Sequence, residues 1–357
     1  MSVRVTHPNP SILIVNLRLT GDVLLSTPLA LSIKQQIPGA TVDYLVYRGT
    51  EGVLAKNPHV RRVHTVGSGM TGLRAFLRLW RQYDFSIGTN ASDRTTIYTF
   101  GAGRHSIGFT LPYRSYWWKP LLVSESRIYD TLKHAVPAML DQLQALDVKP
   151  VPRVVMNFDA KDKAFVEQKL GTKDYVLLHP FSRQIYKYWP AAAWAKLASM
   201  IRSETGLLAV FSRGVGAGDE QQLAQIRAAA GEPFECFPET FTLNQLAAAI
   251  RQARAYVGVD TVGTHLAAAL DGPVVALFGP TPADRWGPWP NDCTAPAPYS
   301  RTGGTQRRGR ITLLQPAWPC VPCDKQSCAI TQRGKMECLE QLTPETVFQE
   351  LKTLLMT

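Results

Sequence analysis

The chain has 357 residues and no run of about 18 or more charge-free apolar residues, so the sequence holds no candidate membrane-spanning helix. Its opening residues, MSVRVTHPNP, lack the apolar core of a secretory signal, and the expected compartment is cytoplasmic. Neither a Walker A loop nor a G-x-G-x-x-G turn stands at the first strand-to-helix junction, which counts against P-loop hydrolysis and hydride transfer. No arginine-rich run or RNA-recognition signature points to nucleic acid as a partner. No short-period repeat is present, and six cysteines without a signal peptide do not read as a disulfide framework.

What is there is a globular composition, 45% hydrophobic and 19% charged, on a chain long enough for two domains. The formal charge of +11 is uneven: residues 1–150 hold 17 Lys+Arg against 9 Asp+Glu, net +8, and residues 151–357 hold 22 against 19, net +3. The first half therefore suits an anionic partner, the competing reading being a soluble basic protein with scattered surface charge.

Short β-rich runs alternate with helical ones. SILIVNL reads as a buried strand, and VLLSTPLALSIKQQI as one helix with Leu25, Leu29, Ile33 and Ile37 every four residues, closed by Pro38-Gly39. TVDYLVY, VRRVHTV and DFSIGT continue the strands, and residues 130–146 read as helical. A Pro-containing stretch at 150–152 is the expected boundary between domain 1–150 and domain 151–357. The alternation then repeats through YVLLHP, LAVFSRG, AYVGVD and PVVALFGP. Strands alternating with helices indicate parallel, doubly wound sheets, hence an α/β chain of two tandem Rossmann-like domains, with ligands beyond the carboxyl ends of the strands.

Four constellations stand out. Asp22 follows the Leu19-Thr20-Gly21 turn after the first strand; it reads as a helix cap, a phosphate-loop accessory or a catalytic base. In HPFSRQIYKYWP, Ser182, Arg183 and Lys187 offer a hydroxyl and two cations suited to a diphosphate, or form only a solvated loop. In VGVDTVGTHLAAAL, Asp260 ends a strand, Thr261 can cap the next helix, Gly263 lets a ligand approach the backbone, and His265 is a ligand contact or a core histidine. Cys320, Cys323, Cys328 and Cys338 form either a structural zinc site or a metal-free thiol cluster, while Cys236 and Cys293 have no evident partner. The aromatic and basic stretch LPYRSYWWKPLLV could grip a sugar, approach a bilayer or simply pack, and SRTGGTQRRGRIT (300–312) reads as a solvated loop.

In order, ILIVNLRLTGDVLLSTPLALSIKQQIPGATVDYLVY, NPHV, HPFSRQIYKYWP, GVDTVGTHLAAALDGPVVALFGPT, WGPW and PCVPC…C…C resemble the bacterial lipopolysaccharide heptosyltransferases of glycosyltransferase family 9, most like the heptosyltransferase III type, from about residue 12 to about residue 345. The resemblance implies a GT-B fold of two Rossmann-like domains facing across a cleft, the N-terminal one taking the lipopolysaccharide inner-core acceptor and the C-terminal one ADP-heptose. It implies an inverting transfer in which Asp22 matches the family's base, Lys187 its phosphate contact, and Asp260, Thr261 and His265 its donor loop. No D-x-D motif is seen in the donor domain and no cofactor is expected; Lys187, Arg183 and the helix N-terminus at Thr261–Gly263 would carry the leaving diphosphate's charge. Candidate acceptor contacts are Arg18, Thr20, Gly21, Arg48, Lys56, Arg61, Arg94 and Arg114, with a peripheral place on the cytoplasmic face of the inner membrane. Two other readings stand: a GT-B transferase using another nucleotide sugar, and a non-catalytic core- or nucleotide-binding protein in which Asp22 only caps its helix.

Overall fold

The computed structural model describes residues 8–67, 69–171, 174–231, 233–326, 328 and 337–356. They fall into two compact units, one running through Asn157 and including Asp292–Pro296, the other comprising Phe158–Asn291 and the chain from Ala297 onward. The return of residues 292–296 to the first unit is invisible in sequence; there the His134 N–H donates to the Pro296 carbonyl at 2.9 Å.

The first unit is built on β1 (Ser11–Asn16), β2 (Thr41–Tyr47), β3 (Arg62–Val66), β4 (Tyr83–Gly88), β5 (Gly103–Thr110) and β6 (Glu125–Ile128). The order is β3-β2-β1-β4-β5-β6, parallel throughout. Ile12–Val15 are wholly buried, as a central strand covered on both faces requires. The helix expected over 23–37 is two helices, Thr20–Leu25 and Thr27–Gln36. At the joint, Ser26 Oγ and Thr27 Oγ1 donate to the Val23 and Leu24 carbonyls at 2.7 Å, and Pro28 opens the second helix. The expected helix over 130–146 begins only at Ala135 and tightens to a 3₁₀ turn from Asp141.

Residues 149–158 contain no helix or strand. They are held on the Thr27–Gln36 helix by side chains: Val151 and Val155 N–H groups donate to Ser32 Oγ and Thr27 Oγ1, each at 2.9 Å. These bonds satisfy backbone groups that an extended connection would leave unpaired.

The second unit contains β7 (Tyr175–His179), β8 (Leu208–Phe211), β9 (Glu235–Cys236), β10 (Ala255–Val259), β11 (Val274–Leu277), β12 (Gly304–Arg308) and β13 (Ile311–Gln315). The order is β12-β13-β11-β10-β7-β8-β9, with only β12 antiparallel. The solvated loop expected at 300–312 is therefore a correction: it forms β12, the turn and the start of β13. Its turn glycine, Gly309, has φ 55°, and Ile311–Gln315 are buried against β11. Trp189, Trp194 and the C-terminal helix Pro344–Leu355 join one core, and Trp189 Nε1 donates to the Leu342 carbonyl at 2.8 Å. No described helix is long and apolar enough to cross a membrane.

Candidate active site

Chain direction along each sheet reverses at one place. In the first unit β1, β2 and β3 run outward one way and β4, β5 and β6 the other, so the reversal lies between β1 and β4. In the second it lies between β7 and β10. Crevices at the carboxyl ends of such strand pairs are where open α/β sheets bind ligands.

At the first, β1 ends at Asn16 and a three-residue turn leads into the Thr20–Leu25 helix. Asn16 Nδ2 donates to the Asp22 carbonyl at 3.0 Å, pinning the turn, while its buried Oδ1 has no partner. Asp22 is not the helix's N-cap. That position is Leu19, which has no side-chain cap, and Asp22 stands in the first turn. The backbone N–H groups of Leu19 and of Asp22 itself also favour its charged form. Burial raises its pKa above the usual carboxylate value, opposed by the charge and hydrogen bond of Arg18. Arg18 Nε lies 3.5 Å from Oδ1, with its side chain 48% exposed, so solvent screens this pair. A carboxylate pushed toward the proton-accepting range at a strand end is what a general base requires.

The cationic candidates divide. Thr20 and Gly21 are in the turn with Asp22. Arg48 follows β2, Arg94 begins the helix after β4, and exposed Arg114 follows β5, all at the carboxyl edge. The Arg94 guanidinium bonds the Gly67 carbonyl and lies 5.2 Å from the Tyr47 ring centre. Lys56 follows the 3₁₀ turn Glu51–Leu54. Arg61 departs from the group: it precedes β3 at the opposite, amino-terminal edge and holds buried Asp43 through bonds of 2.9 and 2.7 Å. Tyr83 Oη bonds the same carboxylate at 2.7 Å, so Arg61 is committed to a structural network.

At the second reversal, Ser182 Oγ donates to the Asp260 carbonyl at 3.2 Å, tying the loop after β7 to the end of β10. Lys187, on a 3₁₀ turn, places Nζ 2.5 Å from Asp260 Oδ2, both side chains largely buried. Burial opposes the lysine's charge, but Asp260 outweighs it and holds the ammonium above its usual pKa. Arg183 is exposed on the same loop.

Thr261 occupies the N-cap of the Val262–Ala269 helix but makes no side-chain cap bond, contrary to the expected capping role. The first N–H groups of that helix therefore keep their capacity for an anion. His265 is buried with Nδ1 unpartnered, and burial depresses its pKa to about 4, so the ring is neutral near pH 7. The space beside Gly263 is filled by protein: an added Cβ would meet Tyr256 Oη at 2.7 Å and His179 Cδ2 at 3.0 Å. Its lack of a side chain thus serves packing against Tyr256 and His179.

Sequence reading missed His179, Ser212 and Tyr256, which form the floor under this helix. His179 Nδ1 bonds Ser212 Oγ at 2.7 Å, its ring stacks on Tyr256 at 6.2 Å, and burial lowers its pKa to about 4. Only HP, at the end of a buried run, hints at this; the partners are distant in sequence.

Among the described residues, no group of three or more His, Cys, Asp or Glu side chains is arranged to hold a metal ion. Cys320, Cys323, Cys328 and Cys338 are free thiols. Burial raises the Cys338 thiol to about 11, and Cys323, Cys320 and Cys328 add to that shift.

Comparison with known proteins gives the family and the fold. Residues 74–302 match the model of glycosyltransferase family 9 (heptosyltransferase). Lipopolysaccharide heptosyltransferase 3 of Escherichia coli K12 is 27% identical over 290 residues, covering 76% of this chain and 83% of that one. Lipopolysaccharide heptosyltransferase 1 of Pseudomonas aeruginosa is 27% identical over 377 residues, covering 97% and 98%. The solved structure of E. coli heptosyltransferase WaaC with ADP-2-deoxy-2-fluoro heptose has the same GT-B fold, with TM-score 0.69 at 20% identity over 96% of this chain and 99% of that chain. The chain belongs to glycosyltransferase family 9, the heptosyltransferases, and is a glycosyltransferase.

Proposed function

We propose that this enzyme transfers heptose from ADP-heptose to the inner core of lipopolysaccharide with inversion at the anomeric carbon. The N-terminal unit takes the acceptor and the C-terminal unit the donor. The observation that carries this reading is the largely buried Asp22 carboxylate in the helix turn beyond β1, with Arg18 3.5 Å from it and its pKa raised by desolvation. Asp22 accepts the proton of the acceptor hydroxyl as that oxygen bonds C1 of heptose and the bond from C1 to the diphosphate oxygen breaks. ADP leaves with the bonding electrons. Lys187, Arg183 and the uncapped N–H groups at Thr261–Gly263 stabilise its charge, Ser182 and Asp260 position the loop, and neutral His265 offers Nδ1 to a donor hydrogen bond. No cofactor enters the step.

Arg18, Arg48, Lys56, Arg94 and Arg114, with the first half's net charge of +8, suit an acceptor bearing carboxylates and phosphates. The similarity to heptosyltransferase 3 supports the heptosyltransferase III type. Because that acceptor is lipid-borne, the enzyme works as a peripheral protein on the cytoplasmic face of the inner membrane.

The test is turnover with ADP-heptose and a panel of truncated core acceptors, with the new linkage read by NMR. An added heptose of anomeric configuration opposite to the donor's is expected. A retained configuration removes the single-base mechanism, and turnover with other ADP-sugars but not ADP-heptose removes the donor assignment.

A further inference from the structure

The Met70–Leu79 helix, which connects β3 to β4, is amphipathic in an unusual sense. Its inner face, Gly72, Ala75 and Leu79, packs on β1, β2 and the Asp93–Ala102 helix. Its outer face should then be polar. Instead Met70, Leu73 and Leu77 are 65%, 52% and 63% exposed, at helical spacings of three and four, and Trp80 just beyond is 43% exposed. Arg74 and Arg78 stand exposed among them. The Asp93–Ala102 helix packs beside this helix, and the Lys119–Leu122 helix packs beside that one in turn. Right-handed crossovers from β3 through β6 set all three on one face of the sheet. That third helix adds Leu121, 74% exposed, and the chain just before it adds Trp117, 69% exposed.

Charge decides what such a face fits. Residues 67–122 contain seven Lys or Arg and two Asp or Glu, and one of those two, Asp93, is paired with Lys119 at 2.7 Å. Large apolar side chains interleaved with arginines, and almost no carboxylates, match a surface with an apolar interior and an anionic rim. We propose that this face of the N-terminal unit docks on an anionic phospholipid bilayer: Met70, Leu73, Leu77, Trp80, Trp117 and Leu121 enter the headgroup–acyl boundary, and Arg74 and Arg78 contact lipid phosphates. The helix starts directly after the carboxyl end of β3, the sheet edge at which Asp22 follows β1, so a bilayer on this face lies alongside that edge. Its use in bringing the enzyme to a lipid-borne acceptor rests on the proposed function; the docking itself does not.

The test is co-sedimentation of the full chain with phosphatidylcholine vesicles with and without phosphatidylglycerol. Binding to the anionic vesicles is expected, weakening as salt rises. The double variant Leu73→Glu/Leu77→Glu should lose at least about tenfold in vesicle affinity, and Arg74→Gln/Arg78→Gln about fivefold per charge removed. Both should keep the parent's thermal unfolding midpoint and its turnover on a water-soluble core acceptor. If the glutamate pair does not fold, the arginine pair, fully on the outer face, carries the test. Wild-type protein that ignores anionic vesicles, or variants that bind them as wild type does, overturn the inference. So does concentration-dependent self-association that the glutamate pair abolishes while vesicle affinity stays unchanged, because the face is then an interface between copies. Vesicle binding without heptose transfer to any acceptor leaves docking in place and defeats the proposed function instead.

Discussion

The two units use the same location for opposite electrostatics. Each sheet reverses direction once, and each reversal carries buried ionisable groups at the carboxyl ends of its strands. In the N-terminal unit that group is one carboxylate, Asp22, largely desolvated, with a half-exposed arginine 3.5 Å away. In the C-terminal unit it is a close ion pair, Lys187 with Asp260 at 2.5 Å, beside His265, which burial keeps neutral. A lone buried carboxylate holds its proton more readily than usual and suits proton transfer. A paired lysine stays charged and suits an anion. The fold supplies two equivalent crevices, and the local charge balance gives them different chemistry.

Removing the proposed base, Asp22, should separate the two most sharply. Asp22→Asn should lower transfer by about 10²–10⁴-fold while ADP affinity, read by calorimetry, stays within twofold or so. Lys187→Met should instead weaken ADP binding along with transfer. It removes a charge-assisted contact and leaves Asp260 buried without its partner, and about 10–100-fold weaker ADP binding is expected in the same titration. Gly263→Ala probes the floor under the Val262–Ala269 helix. The new methyl would press on Tyr256 Oη and His179, so a loss of about 1–3 kcal/mol in denaturant unfolding is expected, with ADP binding weakened only secondarily.

The pH response is smaller and differs in sign between the units. His179 and His265 bind protons only near pH 4 when folded and near 6.5 when unfolded, so stability should fall as pH drops through that window. Asp22, its folded pKa raised, costs stability as pH rises from its unfolded value through its folded one. Thermal melts from pH 7 to 4 should therefore decline, and His265→Gln should flatten part of that decline.

Much of this was legible from residue patterns. Buried runs ending in Asn16, His179 and Val259 marked the central strands because parallel strands covered on both faces are continuously apolar. Asp260 could be singled out because it directly follows such a run, whereas Asp22 and Lys187 stand in the loops and turns beyond theirs and were singled out by residue type there. Arg61 was misgrouped because composition does not say which end of a strand a residue joins, and it precedes β3 instead of following it. The β12–β13 hairpin was hidden because β12 is an edge strand rich in polar and charged residues, TQRR, which reads like a solvated loop. The break between the first two helices depends on Ser26 and Thr27 hydroxyls bonding their own chain, a choice that spacing alone does not reveal. The Tyr256–His179 floor joins side chains 77 residues apart, beyond the reach of any local pattern.

The most direct test of Asp22 as the base is the pH dependence of kcat/KM for wild type and Arg18→Met. The account predicts an acid limb in the wild type above the ordinary aspartate value of about 3.9. It predicts that the limb moves to still higher pH when the arginine that stabilises the carboxylate is removed. A limb at the ordinary aspartate value, or one unmoved by Arg18→Met, would contradict it.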